Sequence, residues 1–170
     1  FCGLAILTMA WTMGPSSWLM QKAKDQLRRD NPSAALSFLH EASEIDSLNP
    51  EPLNELARIR YEKKNSEIPT IVRIGYISNA LDVFQRVISL NSLDWRANIG
   101  AGGCEMFLAW HSNPADSMGH WEKAQSHFER AIKIAPTKYE PREQLALYQL
   151  DLAHFFASRG YLEAAYDEAK

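Results

Sequence analysis

The sequence predicts an all-α fold, an α-solenoid of antiparallel helix pairs with about four units and a period of 41–45 residues. Three observations predict it. Ala35, Ala80, Ala124 and Ala165 return at intervals of 45, 44 and 41 residues, and a fixed period of this length marks a repeat array. The first three are followed at 4, 7 and 10 positions by small or apolar residues: Leu39, Ala42 and Ile45, then Phe84, Val87 and Leu90, then Phe128, Ala131 and Ile134. Gly75, Gly119 and Gly160 stand five residues before the last three alanines. Such spacings gather the residues on one face of a helix, so each unit owns a stripe that only a neighbour can cover. An alanine followed one turn later by an aromatic lets two helices approach closely at one level and fills the gap at the next. Strand-like alternation is sustained nowhere.

The chain opens on "FCGLAILTMAWTMGPSSWLMQ", with no charge from Phe1 to Gln21. Residues 1–17 are read as an apolar segment and 18–170 as the repeat domain, cut short at its C-terminal end. Three origins of the segment stay open: the end of a transmembrane helix closing near Gly14-Pro15 with Trp18 at the interface, the apolar part of a secretory signal, or a buried capping helix. The first leads to an expectation of a membrane-associated chain, in a bacterial inner membrane. Lys22, Lys24, Arg28 and Arg29 follow at once and favour the cytoplasmic side for the repeats, although Asp25 and Asp30 stand among them.

Helix B of the first unit carries Ala35, Leu39, Ala42 and Ile45. Helix A of the second follows with Leu53, Leu56 and Ala57. Its helix B reads as extended, because Ile68, Ile71, Val72, Gly75, Tyr76, Ala80, Val83, Phe84 and Val87 keep helical spacing; Ser66 is placed as the cap and Pro69 in the first turn. The third helix A runs from about Asp94 to Trp110 through Ile99, Gly103, Met106 and Phe107, long enough to match its antiparallel partner. "HSNPADSMG" then reads as a turn, "GHWEKAQSHFERAIKIAP" as helix B, and "EPREQLALY" as the last helix A, with "GYLEAAYDEA" opening a fourth helix B.

Trp121, Ala124, Phe128, Ala131 and Pro136 give helix B a Gly-x-aromatic, Ala, aromatic, Ala, Pro pattern. In this the chain resembles the tetratricopeptide repeat family over residues 18–170, with elongated units; Val87 replaces an alanine and Ser92 stands near the place of the proline. The resemblance implies a superhelix whose concave face, lined by the A helices, holds an extended peptide or partner helix. That is the first functional expectation: a non-catalytic protein–protein interaction scaffold, attached to a membrane through the N-terminal segment. A second comes from the junction of the apolar segment with "LRRDNPSAALSFLHEASEIDSLNPEPLNELA", which is similar to the start of the C-terminal repeat tail in some bacterial O-antigen ligase or polymerase-like proteins. It implies the soluble tail of a glycan-transfer enzyme whose active site lies outside this chain.

Composition is that of an ordinary folded chain, and a net charge of −3 provides no basic stripe for nucleic acid. Cys2 and Cys104 are too few for a disulfide framework, and Cys104 fits a small core position. No phosphate, dinucleotide, nucleophile-elbow or zinc-protease motif occurs, so no cofactor, metal or catalytic residue is assigned. His111, His120 and His127 with Cys104 and Asp116 do not have the compact spacing of a zinc site. The candidate groove is therefore read from helix A alone. Glu51, Asn54, Arg58 and Tyr61 occupy it in the second unit, Asp94 leads Ala97, Ala101 and Cys104 in the third, and Glu140 and Glu143 lead Leu147 and Leu150 in the fourth. With Arg58 the one cation placed there, the expectation is a negative face that steers a partner's basic, extended segment.

Overall fold

The computed structural model describes residues 14–160, as seven α-helices with no strand among them. In chain order they are α1 (Pro15–Arg28), α2 (Pro32–Ile45), α3 (Pro50–Glu62), α4 (Thr70–Leu90), α5 (Trp95–His111), α6 (Pro114–Ile134) and α7 (Glu140–Ser158), with one 3-10 turn, Lys63–Asn65, between α3 and α4. Consecutive helices pack as pairs, α1 with α2, α3 with α4 and α5 with α6; α5 also touches α3 and α7, so α3, α5 and α7 form a continuous row. This is the helical solenoid that the period and stripes anticipate. The second helix of the fourth unit, including Ala165, lies outside the described residues.

Asparagine and proline set most of the helix starts. Asn31, Asn49 and Asn113 cap α2, α3 and α6, each with proline in the first turn, and the Asp94 side chain accepts from the Ala97 N–H to cap α5. The Asn113 side chain accepts from both Ala115 and Asp116, which starts α6 at Pro114. "HSNPADSMG" is thus two linker residues followed by the first turns of a helix, not a turn throughout. Likewise α4 starts at Thr70, with Pro69 as its N-cap, and Ser66 closes the 3-10 turn instead of capping α4. The proline ring disfavours the helical conformation for the residue before it, so the helix cannot start earlier.

The predicted stripes are the core. Ala35, Ala42, Ala80, Val87, Ala124, Phe128 and Ala131 are completely enclosed. Offset 10 departs from the pattern: Ile45 and Leu90, in the last turns of their helices, are 52% and 37% exposed. Helix α5 sits at the centre, and its middle turn, Gly100, Ala101, Gly102 and Gly103, is small throughout. A Cβ added at Gly100 would stand 2.3 Å from the Phe84 ring of α4, at Gly102 2.7 Å from Phe128 of α6, and at Gly103 2.4 Å from the Tyr61 hydroxyl of α3. Backbone therefore meets ring on three sides of one helix. Aromatic packing continues into α7, where Trp121 lies against Tyr148 and Phe155 at ring distances of 5.7 and 5.5 Å.

The expectation of a membrane-associated chain is corrected here. Among the described residues no helix is long and apolar enough to cross a membrane. Trp18, expected at a membrane interface, is a packing residue of α1: it lies against the Leu19, Ala35 and Leu39 cluster, with the Lys22 ammonium 3.8 Å from its ring centre. Of the apolar segment 1–17, residues 1–13 lie outside the described residues, while Pro15, Ser16 and Ser17 are the first turn of α1, with Ser16 buried.

Candidate functional site

The caps of α3 and α5, Asn49 and Asp94, stand 45 positions apart and set the register of the two A helices. One cleft of about 570 Å³ opens between them, lined by Glu51, Asn54, Glu55, Arg58 and Tyr61 of α3 and by Asp94, Arg96, Ile99 and Gly100, with Phe84 behind. Five of the predicted groove residues, Glu51, Asn54, Arg58, Tyr61 and Asp94, meet there. Glu140 and Glu143 stand on α7, outside that lining, where the Tyr139 hydroxyl donates to the Glu143 carboxylate at 3.2 Å. Ala97, Ala101 and Cys104, aligned with the groove by sequence, are completely enclosed instead. The sequence alignment was two residues out of register in α5, because its anchor was a side-chain similarity and not the cap.

The polar lining is already partly paired. The Asn54 amide donates to Asp94 at 2.7 Å, joining the two helices across the mouth of the cleft, while the other Asp94 oxygen accepts from the Ala97 N–H. Lys24 reaches from α1 to Glu51 at 3.2 Å. Arg58 lies between Glu55 and Glu62 and donates to both. Burial, the largest influence on its pKa, pulls it down, yet the two carboxylates together hold it above the usual arginine value. Arg96, over the Trp95 ring at 4.7 Å, is a second cation of the lining that sequence reasoning missed. The cleft therefore carries three carboxylates against two guanidiniums, over an apolar floor of Phe84, Ile99 and the Tyr61 ring.

Tyr61 closes the inner end. Its hydroxyl accepts from the Lys64 ammonium at 2.6 Å, and burial raises the phenol's pKa well above its ordinary value. Burial acts oppositely on Lys64, lowering its pKa. Cys104, behind them, is pushed far up by the same cause, which keeps it a thiol and a poor nucleophile. The histidines do not converge on it. The His120 Nδ1 meets buried Glu105 at 2.5 Å, the His127 Nδ1 faces Asn98 at 3.3 Å, and the His111 Nδ1 faces the Phe107 carbonyl at 2.7 Å. Among the described residues no group of three or more His, Cys, Asp or Glu is placed to hold a metal ion.

No protein-family model matches the sequence, and no curated protein sequence matches it significantly. Solved structures do match in shape. The first TPR of Spaghetti (RPAP3) bound to the HSP90 peptide SRMEEVD superposes with a TM-score of 0.63 at 16% identity, covering 82% of this chain and 94% of that one. The chain has the TPR fold. The first TPR domain of human RPAP3 gives 0.63 at 17% identity over 83% and 96% of the two chains, and TTC0263, a TPR protein of Thermus thermophilus, gives 0.63 at 16% over 91% and 89%. The cleft lies between α3 and α5, the first two members of the row α3, α5, α7.

Proposed function

We propose that this TPR-fold chain is a non-catalytic protein–protein interaction scaffold, and that the cleft between α3 and α5 receives an extended segment of its partner. The observation that supports it is the convergence of Glu51, Asn54, Arg58, Tyr61 and Asp94 around one opening with an apolar floor. Asn54 and Asp94 offer amide and carboxylate groups to a peptide backbone; Phe84, Ile99 and the Tyr61 ring offer a seat for one apolar side chain. Repeat scaffolds of this kind bind along such inner rows.

The RPAP3 neighbour holds SRMEEVD, a peptide with three acidic side chains. Here Glu51, Glu55 and Asp94 face the opening, so the preferred segment pairs apolar with basic residues. The alternative of an enzyme tail has no support from the structural likenesses, which are to TPR proteins.

The test uses immobilised amidated peptides of matched length, alternating Leu with Lys, Gln or Glu, and fluorescent protein. Binding should follow Lys over Gln over Glu, weaken with salt, and lose its order in Glu51→Lys with Glu55→Lys. Equal binding of the Glu series would sink the charge assignment. Binding that survives the double reversal and Asn54→Ala unchanged would remove the cleft from consideration.

A further inference from the structure

A second cleft, of about 310 Å³, opens on the far side of α3, between α2 and α4. Its floor is Leu53, Leu56 and Val83, and its rim carries Arg60 of α3 and Arg86 of α4, with His40, Ser43, Glu44 and Ser47 along α2. The two rim arginines, Arg60 half-buried and Arg86 exposed, stand without a counter-charge among the described residues, which several other cations of the chain have. Arg58 is held by two carboxylates, Arg28 by Asp25, and Lys24 by Glu51, whereas neither Arg60 nor Arg86 has a side-chain hydrogen bond or ion pair among the described residues. Arg60 is half-buried, and burial alone lowers its pKa from the ordinary value, with no carboxylate to oppose it. A guanidinium kept partly out of water without a counter-charge is a cost that an incoming anion would offset.

We propose that this convex cleft binds an acidic side chain of a protein partner together with the aliphatic residue beside it. Arg60 and Arg86 take the carboxylate, and Leu53, Leu56 and Val83 receive the aliphatic group. The ligand's chemistry follows from the lining. The arginine fork suits a planar carboxylate or a phosphate, but Glu44 on the same rim, 3.5 Å from the His40 Nε2, adds a negative charge that a monoanion tolerates better than a dianion. The apolar floor gives a free inorganic ion nothing to cover, and the volume accommodates about one side chain and a carboxylate, not a whole helix. The concave cleft and this one thus select opposite charge from opposite sides of α3, and either can fail without the other.

The experiment is a titration of methyl- and arginine-labelled protein with the amidated, acetylated tetrapeptide Ala-Glu-Leu-Ala, followed by nuclear magnetic resonance. Saturable shifts are expected at millimolar concentration in the Leu53, Leu56 and Val83 methyls and the Arg60 Nε–H. The counterpart with Gln in place of Glu should bind at least about tenfold more weakly. Arg60→Gln with Arg86→Gln should remove the response while leaving the circular dichroism unchanged, since neither guanidinium bonds to the fold. Equal binding of the Glu and Gln peptides overturns the proposal without recourse to any variant. So do shifts confined to the Ile99 methyls and the Arg58 and Arg96 Nε–H on the concave side, or an equal arginine response to inorganic phosphate with still methyls, which would mark an adventitious ion only.

Discussion

At the scale of single residues, the glycines divide by what surrounds them. A β-carbon at Gly100 or Gly102 would run into enclosed phenyl rings, while at Gly75 and Gly119 it would meet nothing within 4 Å. Alanine favours a helix over glycine by about 1 kcal/mol. Gly75→Ala and Gly119→Ala should therefore raise the unfolding free energy, and Gly102→Ala should lower it by a net of about 1–2 kcal/mol, as overpacking exceeds the propensity gain; chemical denaturation measures all three. Glu105, only 2% exposed, has the His120 ring as its one side-chain hydrogen-bond partner among the described residues. His120→Ala should cost about 3 kcal/mol by leaving that carboxyl unpartnered, and Glu105→Leu in the same chain should recover much of it. His127 has its pKa lowered, first by burial and further by Arg130, against an opposing pull from Glu105. The unfolded chain then binds the proton first. The stability this residue contributes is present above about pH 6.5 and drains away as pH falls through the lowered folded value. Thermal melts from pH 7.5 to 5 should show the loss, and His127→Gln should flatten it.

At the scale of elements, the caps decide more than the stripes. Asn113 accepts from two first-turn N–H groups, so Asn113→Ala should cost about 1 kcal/mol and fray α6 back toward Gly119; amide exchange at Ala115 and Asp116 would report it. The pairs, their order and most core faces were legible in the sequence because alanine-aromatic stripes recur with little drift. What was misread lies at helix ends. "NP" at Asn31, Asn49 and Asn113 is the local signal of a cap followed by a first-turn proline, and reading it would have started α6 five residues before Gly119. Aligning the caps Asn49 and Asp94 would also have put Arg96 and Ile99, not Asp94 and Ala97, opposite Glu51 and Asn54 at the groove. The convex arginines were not legible at all, since a charge's neighbours across three helices leave no trace in spacing. The reach of the groove toward α7 is open to a direct test: Glu140→Lys with Glu143→Lys should leave binding of the Lys-Leu peptides nearly unchanged if the α3–α5 cleft acts alone, and should weaken it if the segment runs on to α7.

At the scale of the whole molecule, stability is distributed along a line, with each pair leaning on the next. Hydrogen exchange should be slowest in α5, where Ala97, Ala101, Cys104 and Ala109 are completely enclosed and four other helices make contact, and faster in α1. Uniform protection from α1 to α7 would mean a single cooperative block instead.

The bare backbone of α5 also fixes a dimension. With no β-carbon at positions 100, 102 and 103, the separation of α5 from α4, α6 and α3 is set by the thickness of one ring in each direction, those of Phe84, Phe128 and Tyr61. These three side chains act as spacers. Exchanging one for a thinner or wider group changes the tilt from one unit to the next, and with it the curvature of the coil and the width of its inner channel. The channel's bore can thus drift while every residue that lines the cleft stays the same, and small-angle scattering of Phe128→Leu, whose ring lies outside that lining, would read the change as altered overall dimensions.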